Sequence, residues 1–165
     1  MTERRDMPAS RPPPAEPEPS ATLILLREEQ PGLELLLLQR PSGSWVFPGG
    51  RVEPCDLAGG GDDCVQVAVR AAVRETREEA GLEIEATSLT LISRWISPEI
   101  APKRFDTWFF AAAASPQARV EVDGVEIRAH RWIAPEQALE LQKRGELNLP
   151  PPTFVTVTWL LGHAS

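Results

Sequence analysis

Residues 74–81, RETREEAG, crowd Glu75, Glu78 and Glu79 together and end on Gly81. On a helix, Glu75 and Glu79 form an i,i+4 pair with Glu78 beside them, across an arc of about 100°. Like charges at that spacing repel by a few tenths of a kcal/mol in water, and by more once partly desolvated. Arg74 can reach Glu78, but one guanidinium cannot neutralise three carboxylates. Hard divalent cations such as Mg2+ take oxygen ligands and often keep several waters, which suits an open carboxylate cluster. The competing reading is a solvated face on which Arg70, Arg74 and Arg77 interleave with the acids. The upstream run FPGGRVE, residues 47–53, favours the cation. A glycine turn, a strand and then a carboxylate helix make a floor for phosphates and metal.

That ridge needs a helix and a sheet to hold it. Residues 63–80 carry a helical pattern in which Val65, Val69, Ala72, Val73, Thr76 and Ala80 share the buried arc. Arg70 and Arg77 point roughly opposite, and Glu78 and Glu79 are expected near the surface. Asp63 can cap the start and Gly81 can supply the left-handed stop. Upstream, ATLILLR (21–27) and LELLLLQR (33–40) read as strands joined at Pro31-Gly32, and SWVFPGGRVE (44–53) as a short β-rich run. Residues 54–63 read as a flexible loop. Further strands are predicted within 87–95, 106–114 and 119–133, and a helix from Pro135. Residues 153–161 suit a helix or a strand. A mixed sheet with helices on its faces, an α/β/α sandwich, fits this order.

The chain has 165 residues, 42% of them hydrophobic, enough for one core. Residues 1–20 are proline-rich and charged, predicting a disordered leader before a domain spanning 21–165. A formal net charge of −7 argues against a nucleic-acid polymer as partner. No apolar run approaches the roughly 18 residues needed to span a bilayer, and no secretory signal is evident. Cys55 and Cys64 match no zinc spacing, and His130 and His163 are remote from them. Free thiols in a reducing cytoplasm are the expectation.

The motif RETREEAGL, with Gly50 upstream and the flanking runs WVFPGGRVE and AHRWIAPEQAL, resembles the Nudix hydrolase family. The resemblance covers most of residues 21–143. Gly50 matches the first glycine of the family's box, and Arg74, Glu75, Glu78, Glu79, Gly81 and Leu82 match its second half. Two features depart from it. The box glutamate's place, counted from Gly50, falls on Asp56, and 17 residues instead of seven separate Asp56 from Arg74, an insertion of ten. Counted back along the helix, the same place falls on Gln66. Thr76 also stands where an aliphatic residue is usual.

The resemblance implies a Nudix-type fold and hydrolysis of a diphosphate linked to another moiety, dependent on Mg2+ or Mn2+. Carried over by position, Glu75, Glu78 and Glu79 hold metal, the Gly50 carbonyl adds a ligand, and Arg74 orients the glutamates. The general base stays open among Glu79, Asp56, Glu53 and Glu126. Arg51, Lys103 and Arg104 are candidates to meet the phosphates of a small-molecule diphosphate substrate. The five tryptophans are core candidates before base-stacking ones. Dimers are frequent in that family, so a homodimer is one assembly the resemblance allows. The insertion, with the run SRWISPEIAPKRFDTWFFAAA, resembles the branch of coenzyme A and acyl-CoA diphosphatases. The extended coenzyme A signature is not evident in LLLLQRPSGSWVFPGG. CoA derivatives therefore stand beside nucleoside diphosphate sugars, dinucleotides and oxidised nucleotides. Two other classes compete with an active hydrolase: a Nudix-fold binding or regulatory module that has lost turnover, and a structural domain with solvated glutamates.

Overall fold

The computed structural model describes residues 12–30, 32–60 and 63–163. The first eleven residues of the predicted leader, and Pro31 of the predicted turn, lie outside that set.

The centre is a mixed sheet of seven strands: β1 (Glu18–Glu29), β2 (Gly32–Gln39), β3 (Trp45–Val46), β4 (Gly49–Arg51), β5 (Thr90–Ile96), β6 (Phe105–Ala113) and β7 (Ala129–Ile133). Its spatial order is β3-β2-β1-β6-β5, with β4 added on β1 and β7 on β2. β1 runs parallel to β6, and every other pairing is antiparallel. The long β1 splits its partners, with Ser20–Thr22 against β4 and Leu26–Glu29 against β2.

The run of four leucines in β2 reports burial on both faces. Leu36 and Leu38 join Ala21, Leu23 and Leu25 beneath the long helix α2 (Cys64–Ala80). Leu35 and Leu37 join Ile24, Phe109 and Ile133 on the opposite face. That face is covered by α3 (Pro135–Lys143) and α4 (Pro151–Leu161), through Ala138, Leu141, Val157 and Leu160. Helices on both faces complete the expected α/β/α sandwich. No helix among the described residues is long and apolar enough to cross a membrane.

Several local expectations shift. Residues 54–57 are not loop but a short helix, α1 (Pro54–Leu57), with proline at its start. The segment 119–128 forms no strand. There Asp123 Oδ1 accepts the amides of Val125, Glu126 and Ile127 and folds the chain into a tight turn before β7. Residues 153–161 are helical, within α4, whose Thr156 and Thr158 hydroxyls bond back to carbonyls one turn earlier. In α2 the buried set is Val67, Ala68, Ala71, Ala72, Thr76, Glu79 and Ala80, while Val65, Val69 and Val73 are only half-buried. The alanines win the sheet-facing positions because a small side chain lets the helix lie close.

The sheet also begins earlier than expected, at Glu18 and not Ala21. Pro19 accepts the Val52 amide at 2.8 Å, and the Glu18 amide reaches the Arg104 carbonyl at 2.9 Å. Deleting residues 1–19 removes both bonds and the Glu18–Arg51 ion pair. Such a truncation is expected to cost about 2 kcal/mol, read as a lowered midpoint in urea. A disordered leader over residues 1–20 would instead predict almost no loss.

Candidate active site

α2 starts on Asp63, whose carboxylate accepts the Val65 amide at 2.9 Å, and stops on Gly81 at φ 67°. The acidic ridge occupies its last turns, where it packs against β4. Two glycines let β4 sit this close, Gly49 to β1 and Gly50 to the ridge. A Cβ on Gly49 would strike the Ala21 carbonyl, and one on Gly50 would overlap the Glu75 carboxylate. The Gly49 amide donates to Glu79 Oε2 at 2.9 Å.

The three glutamates are not equivalent. Glu79 is only 6% exposed, a correction to its expected surface placement, whereas the Glu78 side chain is 51% exposed and Glu75 lies between them. Burial pushes the Glu79 carboxyl up to about 7. The Gly49 bond and the Arg40 charge pull it down, while Glu75 and Glu126 push it up. Burial also raises Glu75, against the opposing pull of Arg74. Two desolvated, mutually repelling carboxyls side by side are what a hard cation would relieve.

Arg74 is the hub. Its Nη1 donates to Glu75 Oε1 at 3.0 Å and Glu78 Oε2 at 2.9 Å. Its Nη2 donates to the Arg51 carbonyl at 2.9 Å and Asp56 Oδ2 at 3.0 Å, and its Nε to Asp56 Oδ1 at 3.1 Å. The hydrogen bond to Asp56 is the chief reason its pKa is raised still further. Asp56, 3% exposed, therefore closes on Arg74 across the inserted loop. That pairing brings Asp56 to the ridge, whereas Gln66 lies exposed near the start of α2. It also withdraws Asp56 as a general base: both its oxygens are engaged, Oδ2 additionally accepting the Glu53 amide at 2.8 Å. Glu53 itself is exposed beside the ridge, and Glu126 is exposed on the turn after Asp123.

The expected phosphate cations have other partners. Arg51 pairs with Glu18 at 3.2 Å, and Arg104 donates to the carbonyls of Ser97 and Ala15 at 3.1 and 2.8 Å. Lys103 stands 5.4 Å from the centre of the Phe105 ring. No hydrogen bond or ion pair joins Lys103 or Arg104 to the ridge among the described residues. Arg51 does line a cleft of about 290 Å³ with Glu18, Pro19, Val52, Glu53 and Pro54. A larger groove of about 510 Å³, between the β1–β2 turn and α3, holds none of the expected site residues. Of the tryptophans, Trp45 is buried, Trp95, Trp108 and Trp132 are half-buried, and Trp159 is exposed on α4 beside His163. Cys55 and Cys64 are free and exposed. Sequence reasoning missed Arg40, whose charge acts on Glu79, because no motif carries it. It also missed Arg70, placed on the wrong face by the helical wheel.

Among the described residues, no three carboxylate, histidine or cysteine side chains are gathered tightly enough to hold an ion as they stand. Glu78 is turned onto Arg74 and Glu79 onto Gly49. The donor set still fits a hard divalent cation: carboxylate oxygens, two of them raised by burial, over a glycine cradle that leaves room for the Glu75 carboxylate.

A family model described as NUDIX domain matches residues 16–154. Over 120 residues, 70% of this chain and 74% of the relative, the sequence is 34% identical to bis(5'-nucleosyl)-tetraphosphatase [asymmetrical] of Mus musculus. Over 76 residues, 44% of this chain, it is 33% identical to acyl-coenzyme A diphosphatase NUDT19 of Xenopus laevis, but the match spans only 20% of that relative's length. The fold is similar to a NUDIX hydrolase from Alicyclobacillus acidocaldarius, with TM-score 0.77 over 87% of this chain and 90% of that one at 22% identity. It is also similar to the NUDIX domain of Shewanella oneidensis NrtR complexed with ADP ribose, with TM-score 0.66 over 92% and 90% at 13% identity. With motif, sandwich and family model in agreement over most of its length, this chain belongs to the Nudix hydrolase family.

Proposed function

We propose that the protein is a divalent-metal-dependent pyrophosphohydrolase, cleaving a nucleoside diphosphate linked to another moiety. The observation that carries this is the ridge itself: Glu75 and Glu79 held close and desolvated under Gly49 and Gly50, with Glu78 on the open side. Nudix hydrolases generally use divalent metals, and here Glu75, Glu78, Glu79 and the Gly50 carbonyl would hold Mg2+ or Mn2+. When bound, such an ion neutralises phosphate oxygens and lowers the pKa of a coordinated water. Arg74 keeps Glu75 and Glu78 aimed. Glu53, exposed at the cleft where it caps the start of α1, is the carboxylate we assign to accept the proton of an attacking water. Arg51 is the cation placed to meet a substrate phosphate in the same cleft. The rival reading of a module without turnover rested on the displaced Asp56, and the Asp56–Arg74 pair takes that support away. Free, exposed thiols favour a reducing compartment such as the cytoplasm.

The relatives supply the substrate classes to test: an acyl-coenzyme A, a dinucleoside tetraphosphate and ADP-ribose. Incubation of each with protein and Mg2+ or Mn2+, with products identified by mass, is expected to show cleavage of a diphosphate bond in at least one, abolished by chelator. Three intact substrates under both metals would overturn the proposal.

A further inference from the structure

One charged side chain near the ridge lies outside the motif that the family shares. Arg70 stands four residues before Arg74 on α2, on the same helical face. Its Nε donates to the Asp56 backbone carbonyl at 2.5 Å. Its stem and guanidinium lie against Gly59, where a Cβ would come within 2.8 Å of Nε. Its Nη2 is buried, with no partner among the described residues. Asp56 is thus gripped at both ends, its carbonyl by Arg70 and its carboxylate by Arg74, while its amide reaches the Glu53 carbonyl at 2.9 Å.

We propose that Arg70 is a positioning residue: it latches the root of the inserted loop to α2, so that Asp56 meets Arg74 with both oxygens and Arg74 in turn aims Glu75 and Glu78. The physical need comes from the insertion. Seventeen residues separate Asp56 from Arg74, and among the described residues the only regular structure before α2 in that stretch is the end of α1. A single four-residue turn has no stability of its own. Without a second anchor the Asp56 carboxylate would sample many positions over Arg74, at an entropic cost for each productive one. A guanidinium suits the task because its planar fork can donate from Nε while its flat face covers the Gly59 backbone.

The latch rests on the proposed hydrolase function, because it acts through the ridge. The test uses whichever of the three substrates the wild type cleaves fastest, with saturating Mn2+, well below every variant's melting temperature. Arg70→Gln is expected to lower kcat roughly tenfold, in the range of outer partners of metal sites, with KM changed by less than about twofold. Arg70→Lys should recover part of the loss, since an ammonium can still donate to the Asp56 carbonyl. In an Asp56→Asn background, Arg70→Gln should add little, because both act along one path. A wild-type kcat in Arg70→Gln, a change confined to melting temperature, or a loss that adds in full to that of Asp56→Asn would overturn the latch and leave the proposed function standing. A wild type inactive on all three substrates would overturn the function instead.

Discussion

Glu79→Gln is expected to lose at least about a hundredfold in metal-dependent hydrolysis and yet to be more stable than the wild type at pH 8 in chelator. The two effects share one cause. Burial holds the Glu79 carboxyl up near 7, above the ordinary carboxylate value. The folded protein therefore binds this proton more tightly than the unfolded chain does. Glu79's contribution is fully present below the unfolded carboxylate pKa and is lost as pH rises through about 7. Glutamine keeps an oxygen for the Gly49 amide and carries no charge, so it escapes the loss. The groups that set the balance are Glu75 on the same helix, Glu126 on the turn before β7, Arg40 after β2 and the Gly49 amide on β4. The gain should be on the order of 1–3 kcal/mol, or about 3–8 °C in melting temperature for a chain of this size.

At pH 5.5 the wild-type carboxyl is largely neutral and the two proteins should melt close together. Adding Mn2+ at pH 8 should raise the wild type and leave Glu79→Gln nearly unmoved, because only an ionised ridge gains from binding. A variant less stable than the wild type at pH 8 in chelator would show that the buried charge is already satisfied. Equal hydrolysis by both proteins would remove Glu79 from the chemistry altogether.

How far the site was legible beforehand depended on whether local spacing or distant contact decided each residue. Helical period placed Glu75, Glu78 and Glu79 on one ridge, and Asp63 and Gly81 marked the ends of α2 correctly, because caps are local. The alternation of β2 hid in a run of leucines, and only the two-sided sandwich explains it. Burial of Glu79 was missed because the helical wheel gives direction but not depth: the ridge borders the sheet, and β4 closes over its far end. Asp56 was ambiguous for a different reason. An insertion erases spacing as a guide, and only the fold shows which carboxylate returns to Arg74. Arg51 and Arg104 show a further limit of a local reading. Their charge suits a phosphate, but Arg51 is partnered by Glu18 at the start of β1 and Arg104 by Ala15 before it, contacts that no sequence window of ordinary length contains.

Arg74→Ala is expected to be as inactive as Glu79→Gln but with the opposite effect on stability. Removing the guanidinium leaves Asp56, 3% exposed, with its charge unpaired, and also frees the Arg51 carbonyl and two glutamates. Breaking a buried pair by deleting one partner typically costs about 3–5 kcal/mol. Because Arg74 is slightly exposed and water can reach part of the gap, the low end of that range, about 3 kcal/mol, is expected in urea unfolding. Arg74→Lys separates charge from geometry. An ammonium restores one positive charge but cannot bind both Asp56 oxygens while also donating to Glu75, Glu78 and the Arg51 carbonyl. It should recover much of the stability and little of the turnover. If Arg74→Lys regained both, the arginine would be acting as a point charge only, and the aimed ridge would reduce to simple neutralisation. If it regained neither, the fork itself would hold the fold as well as the glutamates. The contrast with Glu79→Gln is what ties the site together: one carboxylate is held at a cost to the fold because the chemistry needs it, and one arginine supports the fold and that chemistry through the same five hydrogen bonds.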